Sequence, residues 1–437
     1  MLKKLNESPR TDTKIPIRDA KFPAPFASGL EYAAPARGTW NIVHVGMLIP
    51  EAHEIFVCAA GCLRGVVLTA AEMGASERFS TVEVKEENLL NGDMEDLIID
   101  GVTDILHKLP QMPPAVLVYT SCVHHFSGCD LDLCYRVLRE RFPDVDFTDC
   151  YMNPIMRKSG LTPDQLMRKQ LYSLLKPREK NPKAAAILGN DFAMNENSEL
   201  VKLIRGAGYT LYEIQNCKTY EEYQKIAEAS VYITTYPSAK AGGDALAERL
   251  GGTHIHLPYS LDFDEIDENL AKLAQVLGVN APDTAGLRES CTAALKAARE
   301  TITENITIDY TVCPRPMGMA RLLAEHGFAV TRVYADSFTG FDKPDFNIMK
   351  EKFPDLLLSP TVHASMRFHK SEENVLAVGQ KAAYFSGTEH FVNIVEGGGH
   401  WGYEAVLALC DDMTDAHNHT KPMRELIAVK GMGCSCV

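Results

Sequence analysis

Four short apolar runs decide the fold of this chain: AAAIL (184–188), TLYEI (210–214), VYITT (231–235) and THIHL (253–257). Segments with helical periodicity separate or follow them, at 198–205, 220–229, 241–250 and 264–277. Strands that alternate with helices of ~10–15 residues indicate βαβ units, which form a parallel sheet with helices on both faces. Because the crossovers are right-handed, such a sheet is doubly wound. This stretch therefore predicts an α/β unit.

The same alternation continues on both sides, so we predict three Rossmann-like, doubly wound α/β units in series. The first has strand-like runs at 115–120 and 145–148 and helical segments at 130–142 and 159–176. A long helical segment, 284–305, leads to the third. The third has strand-like runs at 307–312, 330–334, 356–359, 380–385 and 391–395, and helical segments at 317–326, 346–353 and 403–413. The predicted divisions are an extended N-terminal arm (1–40), three α/β domains (41–180, 181–282, and 283–415 with its bridging helix) and a tail (416–437).

Composition restricts the function and the location. A net charge of −14 argues against nucleic-acid binding, which needs clustered Lys and Arg to displace counterions from phosphates. No apolar run approaches the ~20 residues that cross a bilayer, and no apolar signal core follows the basic N-terminus. We therefore expect a cytoplasmic protein. In a reducing compartment, twelve cysteines divide between buried thiols and metal-binding or catalytic thiolates, without a disulfide framework.

Two stretches concentrate those cysteines: IFVCAAGCLRG (55–65) and TSCVHHFSGCDLDLC (120–134). Cys58 and Cys62 are separated by small residues, which let backbone amides approach a cluster's sulfides. Cys62 precedes a predicted helix whose N-terminal dipole favours a thiolate. Cys122 lies just past a predicted strand, and Cys129 lies on the loop near it. Such thiolates are the ligands of iron–sulfur clusters.

Other interpretations of these residues stay open. Cys134 falls on a helix's apolar face, which indicates a buried thiol, and a C-x3-C pair is also found as core filler. The first unit has enough thiols for a structural zinc. His124 and His125 could donate hydrogen bonds or protons near a cluster, or form a solvated pair. The roles of Cys434 and Cys436 in the tail are undecided.

A glycine-rich turn, EGGGHWGY (396–403), lies between an apolar run and a helix. Gly398 and Gly399 permit close backbone approach and would leave helix amides free for an anion. His400 and Trp401 would then line a pocket between units, although a plain strand-to-helix turn is the alternative. The chain has no GxGxxG and no GxxxxGK[ST] segment. Electrons for reductive chemistry would therefore come from another protein through a cluster.

These motifs resemble component 1 of nitrogenase and its relatives, including light-independent protochlorophyllide reductases, the reductase of coenzyme F430 synthesis and cofactor-assembly scaffolds. The resemblance spans roughly residues 40–415. It is carried by VCAAGCLRGVV (57–67), by the run from STVEVKEENLLNG to AVLVYTSCV (80–123) and by EGGGHWGYEAV (396–406). It implies three Rossmann-like domains around a central cavity.

The resemblance also implies site residues. Cys62 and Cys122 match two cluster ligands of the family, while GLEYAAPARG (29–38), near the first ligand's position, has no cysteine. Cys58 would replace it, with Cys129 in reserve, which favours a four-iron cluster over the eight-iron P-cluster. Thr235 stands about where the family's cofactor-binding cysteine would be. The candidate catalytic residues are Tyr236, His390 and His400, and the candidate cofactor-binding residues are Gly61, Gly398, Gly399 and Trp401.

The implied function is that of an oxidoreductase's catalytic component, handled anaerobically. An ATP-dependent iron–sulfur reductase homodimer would deliver electrons to a cluster at a subunit interface, in a homodimer or a heterotetramer with a similar subunit. The cavity would hold the substrate, with a further metallocofactor or a tetrapyrrole as candidates. Two alternatives stay open: a metallocofactor scaffold or carrier without turnover, and a zinc-stabilised protein that binds a small anion.

Overall fold

The computed structural model describes residues 13–27, 29, 31–32, 34–36, 41–152, 160–369 and 374–428. The strands are β1 (Ile15–Pro16), β2 (His53–Cys58), β3 (Phe79–Glu83), β4 (Ala115–Ser121), β5 (Asp146–Met152), β6 (Asn181–Leu188), β7 (Thr210–Glu213), β8 (Ala229–Thr234), β9 (Thr253–His256), β10 (Asn305–Asp309), β11 (Val330–Tyr334), β12 (Leu357–Ser359), β13 (Val375–Val378) and β14 (Phe391–Val392).

The α-helices cover both faces of the sheets that these strands form. They are α1 (Ile42–Gly46), α2 (Ala60–Glu72), α3 (Glu86–Asn91), α4 (Met94–Lys108), α5 (Cys122–Ser127), α6 (Leu131–Arg141), α7 (Pro163–Gln170), α8 (Glu199–Gly206), α9 (Tyr220–Gln224), α10 (Lys240–Leu250), α11 (Phe263–Leu277), α12 (Ala285–Thr301), α13 (Pro316–Glu325), α14 (Lys343–Lys352), α15 (Gln380–Ser386), α16 (Tyr403–Asn418) and α17 (Met423–Ala428).

Three sheets organise the chain, and we refer to each sheet with its helices as the first, second and third unit. The first sheet has the order β3-β2-β4-β5 and the second β7-β6-β8-β9. The third has the order β1-β12-β11-β10-β13-β14. All strand pairs are parallel except β1 with β12. The predicted α/β class is confirmed, whereas the domain boundaries stay a prediction.

Strand order determines where each unit can bind a ligand. In the first two sheets the earliest strand lies between the second and third strands of its unit, so the connections diverge on either side of β2/β4 and of β6/β8. In the third sheet they diverge on either side of β10/β13. Crevices at the carboxyl ends of strands at such switch points are the usual ligand sites of doubly wound sheets. The fold therefore offers three candidate positions.

Buried strands and shared cores hold the units together. Every residue of β2 and β4 is buried, as expected for parallel strands covered on both faces. One apolar cluster joins the first and second units, for example through Phe56 and Tyr232. The largest cluster joins the second and third units and includes Ile187, Ile308 and Trp401. Because the units share apolar interiors, their carboxyl edges are held in fixed relation.

Three local differences from the predictions have physical causes. Residues 380–385, predicted as a strand, form helix α15, because Val375–Val378 takes the strand position beside β10 and Gly379 then turns the chain. Residue 159 of the helix predicted at 159–176 lies outside the described residues, and within 160–176 the α-helix is limited to Pro163–Gln170. From the predicted arm, β1 pairs with β12 and Ile17 is buried. In the described part of the chain, no helix has the length and apolarity needed to cross a membrane.

Candidate functional site

Three of the predicted ligands meet at the switch point of the first sheet. Val57 pairs with Thr120 in parallel register, so Cys58 ends β2 beside the carboxyl end of β4. Cys62 lies in the first turn of α2, where its amide bonds to the Ala59 carbonyl. Cys122 is the first residue of α5, directly after β4. Two helix N-termini and one strand end therefore bring these thiols to one edge of the sheet.

The pKa of the Cys58 thiol reflects its burial and the groups around it. Burial raises the pKa of the Cys58 thiol to about 12, the nearby Ser121 side chain lowers it, and Cys62 and Cys122 raise it further. Cys58 is buried, Cys122 is part-exposed and Cys62 is exposed. The group therefore reaches from the core of the first unit to its surface. Three soft thiol donors in one place suit a thiophilic metal centre.

Cys129, the reserve ligand, is not brought to this group. Its thiol contacts that of Cys134, and the pair lies beside Glu95. This contact raises the pKa of the Cys129 thiol and lowers that of Cys134. Among the described residues, no group of three or more His, Cys, Asp or Glu side chains, the three thiols of this edge included, has the arrangement that holds a single metal ion. Cys434 and Cys436 lie outside the described residues.

The residues around the three thiols differ in exposure. His124 is buried, and its Nδ1 accepts the Ser121 amide at 3.2 Å, which closes the first turn of α5. Burial lowers the pKa of His124. His125 and Gly61 are exposed. Exposed apolar side chains also occur on each helix of this edge; these are Val67 and Leu68 on α2, Leu89 and Leu90 on α3, and Phe126 on α5, with Leu90 80% and Phe126 68% exposed. We call these five residues with Cys62 the cysteine face.

A second site, which the sequence did not predict, lies between the second and third units. Arg168 of α7 forms ion pairs with Asp191 at 2.8 Å and with Asp164 at 3.0 Å, and only 3% of Arg168 and 1% of Asp191 is exposed. The Arg168 guanidinium also donates to the Gly189 carbonyl. Asp191 follows β6 at the switch point of the second sheet. The apolar run at 184–188 indicated that edge, but nothing in the sequence paired it with Arg168.

Tyr236 and Glu396 complete this interdomain site. Tyr236 follows β8, its ring lies 5.4 Å from the Arg168 guanidinium carbon, and its hydroxyl donates to the Glu396 carbonyl. Burial raises the pKa of Tyr236 well above its usual value. Thr235 is buried, and its hydroxyl donates to Asn190 Oδ1 at 2.9 Å. The interdomain site, Arg168, Asp191, Tyr236 and Glu396, thus combines fixed charges with one tyrosine that was predicted as catalytic.

The glycine-rich turn serves packing between the units, and the expectation of free helix amides is wrong. Gly399 has φ +84°, and a Cβ there would lie 2.2 Å from the Ala193 carbonyl oxygen. The amides at the start of α16, Tyr403 and Glu404, donate to Glu199 Oε2 at 3.0 and 3.3 Å. A carboxylate of the second unit therefore occupies the helix N-terminus. Gly398 also has a positive φ, of +57°.

The remaining predicted residues lie in three different settings. Trp401 is 1% exposed and belongs to the apolar core, and its place in a pocket lining stays a prediction. His400 Nδ1 bonds Glu404 Oε1 at 2.6 Å, and that carboxylate raises the pKa of His400. His390 directly precedes β14, and its Nδ1 bonds the Ala416 carbonyl at 2.8 Å. His390 is therefore at the amino end of β14. Ligands bind at the carboxyl ends of parallel strands, so His390 lies at the edge of the third sheet opposite to the expected ligand site.

The fold and these motifs agree with comparisons to known proteins. The family model described as nitrogenase component 1 type oxidoreductase matches residues 43–418, so the chain belongs to this family. Among solved structures, "Nitrogenase Cp1 at pH 6.5" is similar at 12% identity and TM-score 0.66, covering 90% of this chain and 94% of that one. "Nitrogenase Cp1 at pH 5" gives 11% identity, TM-score 0.59 and 90% coverage of both chains. At these identities the likeness shows the fold. A comparison with curated proteins gives no match.

Proposed function

We propose that this protein is the catalytic component of a reductase whose electrons arrive from an ATP-dependent iron–sulfur reductase. The observation that carries the proposal is the convergence of Cys58, Cys62 and Cys122 at the first sheet's switch point. These residues would hold an iron–sulfur cluster, which supplies one-electron transfer when bound. The three thiols suit such a group because a multi-iron cluster separates its thiolate ligands more widely than a single ion does. Family membership as an oxidoreductase supports the same function.

A subunit interface at the cysteine face is part of this proposal. Three thiols are one short of the four that iron–sulfur clusters usually take. Cys62 is exposed, and the helices on its edge carry the exposed side chains of Leu68, Leu90 and Phe126. Exposed apolar residues that together form a patch mark interaction sites in proteins. A second copy of this chain, or a similar subunit, would cover the face and supply the remaining ligand.

The substrate would be reduced at the interdomain site. Arg168 and Asp191 form a buried, fixed ion pair there, and the Tyr236 hydroxyl ties the second unit to the third. Charges held without water are the arrangement that stabilises a reacting group without reorganisation. The first sheet would thus receive electrons, and the second and third would hold the reacting molecule.

Cluster reduction by a partner tests the proposal directly. The protein is purified anaerobically, oxidised, and mixed with a reduced ATP-dependent iron–sulfur reductase of the nitrogenase type, with and without MgATP. Electron paramagnetic resonance is expected to show a reduced cluster on this chain only when MgATP is present. Cys62→Ala is expected to remove that signal, and Cys291→Ser, which changes a buried thiol on α12, is expected to keep it. A wild-type spectrum without any cluster signal would contradict the proposal.

A further inference from the structure

Glu396 has a backbone conformation that favours glycine. Its φ is +50°, and the three residues after it, all glycines, also have positive φ. A side chain at such a position costs conformational free energy that glycine would avoid. Strained non-glycine residues cluster at functional sites, where the side chain has a task. The carboxyl group of Glu396 is therefore the feature to explain.

The single positive charge of Arg168 is already shared by two carboxylates and does not balance the Glu396 carboxyl as well. Its guanidinium pairs with Asp164 and Asp191 and donates to the Gly189 carbonyl. Among the residues that the structure describes, no hydrogen bond or ion pair of the Glu396 carboxyl is found, and the largest charge effect on it comes from the like charge of Asp191. A third carboxylate beside one guanidinium would be an unbalanced charge in a poorly solvated place, which is costly. These neighbours therefore favour the protonated form of Glu396 over the carboxylate.

The surroundings of Glu396 support the same protonation state. Burial is the main cause that raises its pKa well above the usual value, Asp191 and Asp164 add to the shift, and Arg168 opposes it. The titratable and charged groups that face it from the packed elements are Asp164, Arg168, Asp191, Tyr236, Tyr310 and Cys313. Part of the residue remains accessible. A partly accessible carboxyl group whose pKa is raised thus lies where the second and third units meet.

We infer, on the basis of the proposed function, that Glu396 is the proton donor to the molecule reduced at the interdomain site. The partner reductase supplies the electron, and the Glu396 O–H bond breaks as a bond from that hydrogen to the substrate's acceptor atom forms. The electron pair of the O–H bond stays on the carboxylate, whose unbalanced charge favours rapid return of a proton. Water returns the proton before the next electron. The inferred substrate class is a molecule whose acceptor atom takes up one proton per electron.

Infrared spectroscopy tests the proton without any substrate. Difference spectra between the wild type and each variant are recorded at pH 7. The wild type is expected to have a carboxylic acid C=O band that shifts in D2O and is absent from Glu396→Gln. The matched control is Glu51→Gln, because Glu51 is also a glutamate with positive φ, +62°, but is exposed. The control is expected to keep the band. A Glu396→Gln spectrum identical to that of the wild type would overturn the inference.

The rate of H2 formation tests the proton transfer from Glu396. H2 is the expected product when solvent protons are the only electron acceptor. With the partner reductase and MgATP, Glu396→Gln is expected to be reduced as fast as the wild type yet form H2 at least ten-fold more slowly. Glu396→Asp, which keeps an acid, is expected to recover part of the rate, and Glu51→Gln the full rate. Equal rates in Glu396→Gln and wild type would overturn the inference. A wild-type protein that the reductase cannot reduce would instead contradict the proposed function, and the infrared result would still decide whether Glu396 holds a proton.

Discussion

The Tyr236 hydroxyl donates a hydrogen bond to the backbone carbonyl of Glu396, 160 residues away in the sequence. This bond joins the carboxyl edge of the second sheet to the glycine-rich turn of the third. Arg168 stacks on the same tyrosine, 5.4 Å from its ring centre, and pairs with Asp191. The interdomain site is therefore built from three separate parts of the chain and depends on their packing.

Removing the Arg168 guanidinium is expected to destabilise the protein strongly. Arg168→Ala leaves Asp191 as a buried carboxylate without its cation, a change that costs roughly 3–5 kcal/mol. Chemical denaturation measures the loss. Arg205→Ala is the control, because its pair with Glu196 is exposed, with 54% and 60% of the two side chains accessible, and a change within about 0.5 kcal/mol is expected. Equal losses of unfolding free energy in the two variants would contradict a larger contribution of the buried pair to stability.

Gly399→Ala is expected to weaken the contact between the second and third units. The added Cβ would lie 2.2 Å from the Ala193 carbonyl oxygen, and φ of +84° disfavours any side chain. Backbone atoms cannot move aside cheaply, so we expect a loss of roughly 2–4 kcal/mol in the free energy of unfolding. Gly286→Ala in α12 has no atom within 4 Å of the new Cβ and is expected to gain up to about 1 kcal/mol. A neutral Gly399→Ala variant would contradict the packing role.

Sequence patterns predicted the strands and helices well where local periodicity decides them. The runs at 184–188 and 231–235 became the central strands β6 and β8 because continuous apolar runs suit strands buried on both faces, and the runs at 210–214 and 253–257 became the edge strands β7 and β9. The strand prediction for residues 380–385 was wrong because a short segment of this kind fits a buried helix equally well. Whether it becomes a helix or a strand depended on the pairing of β13 with β10.

The contacts within the candidate sites also divide into those that sequence patterns predict and those that they do not. Cys58, Cys62 and Cys122 were predictable because the ends of adjacent parallel strands meet at one edge. Glu199 at the start of α16 and Arg168 beside Asp191 were not, since each contact joins a helix side chain to another element and no sequence pattern pairs them. Cys129 was misplaced because a loop's direction depends on its packing, here against Cys134.

Stability is expected to fall in acid partly because of His53. Burial, and secondarily Arg78, lowers the pKa of His53 to about 4 from an ordinary value of 6.5. Below pH 6.5 the unfolded chain binds a proton that the folded protein excludes, so the contribution of His53 is present above pH 6.5 and lost as the pH falls to 4. The loss is roughly 3 kcal/mol.

Unfolding at several pH values measures this contribution. His53→Gln is expected to lose less stability than the wild type between pH 6.5 and 4, by that amount. His419→Gln, at an exposed histidine, is expected to follow the wild-type curve. Parallel curves for His53→Gln and wild type would contradict the assignment.

Charge on the cysteine face is expected to break the proposed subunit interface. The double variant Leu90→Lys/Phe126→Lys places two cations at the most exposed apolar positions of this face. We expect the dissociation constant of the dimer to increase at least ten-fold, which is about 1.4 kcal/mol. Light scattering after size exclusion measures the mass. Val279→Lys, just beyond α11, is the control and is expected to leave the mass unchanged. A wild-type monomer at all concentrations would contradict a second copy of this chain as the partner and leave a similar subunit as the one that covers the face.

Metal content of cysteine variants tests the central claim most directly. Iron and acid-labile sulfide are measured after anaerobic purification of wild type, the double variant Cys62→Ala/Cys122→Ala and the double variant Cys129→Ala/Cys134→Ala. The account predicts iron and sulfide in the wild type, their loss in the first variant and their retention in the second, because only Cys62 and Cys122 lie beside Cys58. Full iron in Cys62→Ala/Cys122→Ala, or zinc in place of iron in the wild type, would contradict it.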